Sequence, residues 1–150
     1  MKLVEATDPV LYQVQPAFAG DPRSLREPAK AMFEVIENPS SYGVGLAAPQ
    51  VGLATRMFVM NCRRGAARKW SSTYVCINPE VVERRGEAVK AKEGCLTIPG
   101  RKVDVSRHEE IRVAYTDLNG TLRRETLYGL EARCFQHELD HLNGKTVWFQ

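Results

Sequence analysis

The sequence predicts an α+β fold in which antiparallel β-sheets pack around one central helix, with a further helix near the N-terminus. Three observations predict it. Segments of strand character follow one another between Arg56 and Leu127 with no helical periodicity between them, which separates the chain from doubly wound α/β folds. Asn119-Gly120, a dipeptide that tolerates left-handed backbone, lies between two of these segments and marks a tight hairpin. The last long element, Gly129 to about Leu142, carries Leu130, Cys134, Phe135, Leu139 and Leu142 at the spacing of a helix that needs a core on one side.

The elements follow in chain order. Ser24 with Glu27 forms a capping-box pattern, Pro28 falls near the first turn, and Ala31, Met32, Val35 and Ile36 supply an apolar stripe. A first helix is therefore expected to run to about Asn38-Pro39, followed by the glycine-rich loop Gly43 to Gln50. Arg56 to Met60, Tyr74 to Ile77, Ala88 to Ala91 and Ile111 to Tyr115 read as strands, and the hairpin at Asn119-Gly120 leads into one more, Thr121 to Leu127. Asn143-Gly144 closes the final helix with a left-handed cap.

Composition frames the function without naming it. The 150 residues, 43% hydrophobic, suit one globular domain spanning 1–150, with no repeat, low-complexity tract or linker. A net charge of +3 from 21 basic and 18 acidic residues is too balanced to indicate DNA or a membrane surface as partner. The N-terminal stretch has no sustained apolar region, and no run of eighteen apolar residues occurs, so the chain is expected to be soluble and cytoplasmic. Four cysteines without a secretory signal or a C-x-x-C pair fit a reducing compartment. Cys62, Cys76 and Cys134 have apolar neighbours and read as small core residues, leaving Cys95, between Gly94 and Leu96, as the informative thiol.

Residues 137–141 spell HELDH. At about 100° per residue, His137 and His141 fall about 40° apart on one helix face, so both imidazoles can reach one metal ion. Glu138 and Asp140 flank that face, each roughly 80° from its middle, and phase alone does not choose between them. Reach favours Glu138 as the acid/base, with the shorter Asp140 suited to orienting an imidazole or a neighbouring loop. Zinc proteases with this motif take a third ligand from downstream. The nine residues after His141 contain no His, Asp, Glu or Cys, so a third ligand is expected upstream, with Cys95 the candidate.

Gly43-Val44-Gly45-Leu46-Ala47-Ala48 matches the GxGxxA form of a dinucleotide fingerprint, but it follows Asn38 to Tyr42 instead of a strand, and Pro49 interrupts the helix a pyrophosphate would need. Close backbone approach to a ligand, with Gln50 as an amide donor, uses the segment better. Arg63, Arg64, Arg68 and Lys69 read first as a solvated basic loop and second as a contact with RNA. His108 has polar neighbours and reads as a surface residue.

Taken together, GVGLAAPQ (residues 43–50), EGCLT (93–97) and HELDHLNG (137–144) resemble, in the same order, the three motifs of peptide deformylases. Asp8 to Leu11, the first helix and Val51-Gly52 are similar to that family as well, so the resemblance covers nearly the whole chain. It implies Cys95, His137 and His141 as metal ligands and Glu138 as acid/base. It also implies Gln50 and the backbone N–H of Leu96 as oxyanion donors, Val44, Gly45 and Cys134 at a methionine pocket, and a Glu93–Arg107 pair holding the Cys95 loop. Thr97 stands where the family usually has Ser, and Lys102 lies near a position where many members have a substrate-binding Arg, with Arg101 adjacent. The short stretch after the HELDH helix looks like compact members, including phage-encoded ones, for which the compartment would be the host cytoplasm.

The expected chemistry follows from the donor set. Two neutral imidazoles and a thiolate leave a fourth position open for water, the mark of a catalytic site. Glu138 would take a proton from that water and return it to the leaving amine, while the metal, Gln50 and the Leu96 amide hold the oxyanion. Fe(II) and Zn(II) both fit by ligand type, with Ni(II) or Co(II) as substitutes, and the resemblance favours Fe(II). The substrate implied is an N-formyl-Met nascent peptide, met at the ribosome. Two rivals are a peptide-cleaving zinc enzyme, which lacks its downstream ligand here, and a structural zinc or redox module closed by a fourth ligand such as Cys134.

Overall fold

A computed structural model of the chain describes residues 1–38, 43–62 and 73–149. Two helices, α1 (Arg26–Glu37) and α2 (Gly129–Leu142), accompany five strands: β1 (Gly45–Ala47), β2 (Met57–Asn61), β3 (Thr73–Glu93), β4 (Val103–Thr116) and β5 (Leu122–Tyr128). The strands form one antiparallel sheet in the order β1-β2-β3-β4-β5. The α+β class is as expected, but among the described residues a single sheet replaces several.

The difference lies in β3. Tyr74 to Ile77 and Ala88 to Ala91, read as separate strands, are two stretches of one strand of 21 residues. From Glu80 to Glu87 the strand is mostly exposed and polar, so it lacks an alternating apolar signal, and its pairing with β4 shifts register between Ile77 and Glu80, Val81 and Glu83, and Arg85 and Ala88. Irregularities of this kind bend a strand and increase its twist. Asn78, at φ 52°, sits at the first shift, where its side chain bonds both the N–H and the carbonyl of Phe18.

Strand β2 separates two cores. Met57 and Val59 face one way, toward Met32, Ala29 and Ile36 of α1, while Phe58 and Met60 face Phe135 and Leu142 of α2. Burial on both faces explains the unbroken apolar run Met57-Phe58-Val59-Met60. Phe58 and Phe135 meet edge to face with centroids 5.0 Å apart. Cys62, Cys76 and Cys134 are free and buried in the α2-side core, as expected from their neighbours.

Helix α1 starts differently from its sequence pattern. Ser24 does not cap it; its hydroxyl donates to the Asp21 carbonyl, and the Asp21 carboxylate caps a preceding 3-10 turn, Pro22–Leu25, through the Arg23 N–H. The aspartate wins because Pro22 next to it is already suited to the first position of a turn. Of the expected stripe Met32 and Ile36 are buried and Val35 packs against the same core while partly exposed, with Ala29 buried beside them in place of Ala31. Helix α2 has the expected bounds and ends at Leu142 with Asn143 as its cap, after which Gly144 takes the left-handed conformation, φ 72°. The turn at Asn119-Gly120 forms as expected, with Gly120 at φ 83° and the Asp117 carboxylate accepting from the Asn119 and Thr121 N–H groups. Among the described residues no helix is long and apolar enough to cross a membrane. Pro39 and the basic segment Arg63, Arg64, Arg68 and Lys69 lie outside the described residues.

Candidate metal centre

Helix α2 holds His137 and His141 one turn apart, with ring centroids 5.1 Å from each other. The loop from β3 to β4 brings Cys95 against them. Its Sγ lies 3.6 Å from His141 Nε2, and one donor atom from each of the three residues falls within 4.8 Å of the others. Two atoms bonded tetrahedrally to one ion at about 2.3 and 2.1 Å are separated by about 3.6 Å, so the sulfur and the imidazole are spaced as metal ligands are. Cys134 is not part of this cluster. It faces Gly45 instead, where a Cβ would stand 2.6 Å from its Sγ, and a closed four-ligand site using Cys134 gains no support.

Glu93, the last residue of β3, orients the first histidine. Its Oε1 lies 2.8 Å from His137 Nδ1, and because a carboxylate only accepts, that nitrogen donates and Nε2 is the one left to face a metal. The carboxylate is itself held by Arg107, through Nε at 2.6 Å and Nη2 at 3.0 Å, and by Arg133 Nη1 at 2.7 Å. Burial alone would raise the Glu93 pKa, but hydrogen bonds from His137 and Arg107 together with their charges hold it down at about 2. Arg107 also donates to Asp140 at 2.9 Å, so the second carboxylate of HELDH ties α2 to β4.

The Glu93–Arg107 pair was implied by the family resemblance. The contacts of Glu93 with His137 and Arg133 were missed, although Arg133 lies one helical turn before His137 and its spacing was legible. His108 sits apart from the cluster, its ring facing the Arg85 carbonyl near the surface.

Glu138 is 3% exposed, and its Oε1 has no hydrogen-bond partner in the protein. Burial pushes its carboxyl up to about 7, against the lowering charges of His137 and Arg107. His141, 1% exposed, is held well below its usual range by burial and then by the charges of His137 and Arg107, so its imidazole is neutral. Burial would lower His137 too, yet the charge of Glu138, hydrogen bonds with Cys95 and Glu93 and the charge of Cys95 raise it to about 10, so a metal at Nε2 would take the place of a proton. The cluster thus concentrates negative charge that a cation would balance. Two imidazole nitrogens, a sulfur and an unpaired buried carboxylate oxygen beside them suit a divalent transition metal.

Gln50 is fixed at both ends of its amide. Its Oε1 accepts from the Ala47 N–H at 2.9 Å, which turns Nε2 toward Thr97 Oγ1 at 3.1 Å and Cys95 Sγ at 3.3 Å. The local chain explains this: Gly45–Ala47 forms the short edge strand β1, and Pro49 lies in the first positions of a 3-10 turn, Ala48–Val51, that carries Gln50 inward. A strand running into a 3-10 turn is not the strand-to-helix loop of a dinucleotide site. Gly45 is required for close approach, since a Cβ there would meet Glu138 Oε2 at 2.7 Å. A cavity of about 670 Å³ opens beside Glu138 and Cys95, with Val44, Leu96, Leu130 and Cys134 in its apolar wall.

The sequence profile of the polypeptide deformylase family matches residues 1–149. The chain belongs to the peptide deformylase family. It is 39% identical to the peptide deformylase of Thermotoga neapolitana over 140 residues, covering 93% of this chain and 80% of that protein. The crystal structure of the Thermotoga maritima peptide deformylase superposes with a TM-score of 0.86 at 37% identity, covering 98% of this chain and 94% of that one. The enzyme of the Vibrio parahaemolyticus bacteriophage VP16T, crystallised with actinonin, is 29% identical with a TM-score of 0.84, covering 98% of this chain and 100% of its own. The deformylase described here is a metal-dependent hydrolase that removes the N-formyl group from the N-terminal methionine of newly synthesised proteins, releasing formate. It carries a triad able to hold the metal.

Proposed function

We propose that residues 1–150 act as a single catalytic domain in which Cys95, His137 and His141 hold one Fe(II), for which Zn(II), Ni(II) or Co(II) can substitute. In this reading Glu138 is the acid/base, Gln50 and the Leu96 N–H bind the oxyanion, and Val44, Gly45 and Cys134 border the methionine side chain. The observation that carries it is Glu138, buried beside the triad with an unpaired oxygen and a pKa of about 7. When bound, the metal supplies Lewis acidity toward the formyl carbonyl and toward the attacking water.

The chain's own groups do the rest. Glu138 removes the proton from the attacking water as the new C–O bond forms, and a carboxyl titrating near neutrality can hold that proton and release it again. The oxyanion accepts hydrogen bonds from Gln50 Nε2, already aimed at the site by its bond from Ala47, and from the Leu96 N–H. Glu138 then gives the proton to the methionine nitrogen as the C–N bond breaks. Tight approach of Gly45 to Glu138 supports a pocket that admits a formyl carbon and excludes an acetyl or an internal peptide carbonyl. Cytoplasmic action on chains leaving the ribosome belongs to the same reading.

Mass spectrometry of N-formyl-Met and N-acetyl-Met peptides incubated with the metal-loaded enzyme tests it. Formate loss from the first alone, blocked by actinonin, is expected. Internal cleavage without formate loss would favour a protease instead.

A further inference from the structure

The rim of the substrate cavity carries charge that the reaction centre does not use. Four cations, Lys92, Arg101, Lys102 and Arg133, line it together with only two acidic residues, Glu93 and Glu138, both buried at its base. Arg133 is engaged by Glu93 at 2.7 Å, and Lys92 by Asp104 at 3.1 Å. Arg101 and Lys102 are exposed and face no carboxylate within ion-pair distance among the described residues. Lys102 is also drawn over the loop that carries Cys95: its Nζ comes within 2.9 Å of where a Cβ on Gly94 would stand, so the bare glycine lets the ammonium lie against the cavity wall. The loop bearing both cations is short and lies between the paired ends of β3 and β4, Glu93 and Val103. It is therefore anchored on both sides.

We infer that Arg101 and Lys102 select formylated chains by charge, favouring an acidic side chain among the three residues that follow methionine. The inference rests on the formyl-peptide reading of the cavity. The apolar wall of Val44, Leu96, Leu130 and Cys134 takes the methionine, so the chain beyond it must leave across the rim. An extended peptide advances about 3.3 Å per residue, which keeps the next few side chains close to the mouth of a cavity of this size. There an Asp or Glu meets two cations without acidic partners, whereas a Lys or Arg is repelled. Exposed ion pairs contribute modestly and are screened by salt, so the preference belongs to the level of a few-fold and to low ionic strength.

The test compares formate release from formyl-Met peptides that carry Glu, Gln or Lys at each of the three following positions in turn. At low salt the best Glu peptide is expected to exceed its Lys counterpart by about fivefold in kcat/KM, through KM, with the gap closing by 0.5 M NaCl. The ratio of acidic to neutral peptide is the readout, so a general loss of rate in a variant does not confuse it. In the double variant Arg101→Ala/Lys102→Ala the ratio should fall to about one, and in Arg101→Glu/Lys102→Glu it should invert. Equal turnover of Glu and Lys peptides by the native enzyme, or a preference that survives charge reversal, overturns the inference while leaving the deformylase reading intact. Absence of formate from every peptide would instead remove that reading.

Discussion

Cys95 and Glu138 both line the cavity, and substitution tests the different roles proposed for them. A thiolate provides both a bond and a negative charge to the metal, so Cys95→Ala is expected to lose most bound metal and activity, while Cys62→Ala and Cys76→Ala in the core keep both. Glu138→Gln keeps all three donors and should retain metal while losing nearly all turnover. Gln50→Ala should also retain metal and slow the reaction on the order of 10²-fold, the usual cost of one oxyanion donor. Metal analysis beside kcat checks each variant, and a metal-free Glu138→Gln protein would reassign Glu138 as a ligand. The identities of these residues were legible because HELDH and the Cys95 segment are short patterns whose spacing encodes a shared face. Which carboxylate serves as base was less so. Helix phase left Glu138 and Asp140 symmetric and reach favoured Glu138; the tertiary neighbours are in keeping with that choice, since Arg107 takes Asp140, while Gly45 packs on Glu138.

At the scale of elements, α2 was readable from end to end because its apolar spacing and its Asn143-Gly144 stop are both local signals. Strand β3 was not, since its exposed middle and register shifts depend on β4, which lies beyond it in sequence. The cap of α2 offers a measurable consequence. Gly144 has φ 72°, and a Cβ there would meet the Tyr12 carbonyl carbon and oxygen at 2.9 Å, both backbone atoms that cannot rotate away. Gly86 in β3 has nearly the same φ, 71°, with nothing within 4 Å. Left-handed backbone costs a non-glycine residue about 1–2 kcal/mol, so Gly86→Ala should lose about that much. Gly144→Ala should lose it and more, because residues 12–13 must move and they neighbour the Gln15–Leu142 bond at the end of the metal helix. Denaturant unfolding of the two variants measures the difference, and equal losses would show that the contact with Tyr12 relaxes freely.

For the whole molecule, the fold class was legible because strands succeed one another without helices, and Cys95 stood out as a candidate donor because it lies in a short pattern between Gly94 and Leu96. What joins these facts in space is the sheet: β3 and β4 project the Cys95 loop onto α2, and Glu93, Arg107 and Asp140 lock loop, strand and helix into one unit around the donors. The chemistry at that junction makes the identity of the metal testable. A sulfur with two imidazole nitrogens accepts Fe(II) and Zn(II) alike, but the two respond differently to oxygen. Cys95 is partly exposed, unlike the three core cysteines, so both a bound Fe(II) and its thiolate ligand are open to oxidation. Enzyme purified without air should therefore contain iron and lose activity on aeration, and replacement of the iron by a redox-inert ion should abolish that decay. Metal analysis and activity followed together over hours in air check this, and air-stable activity in freshly isolated, zinc-containing enzyme would assign zinc instead.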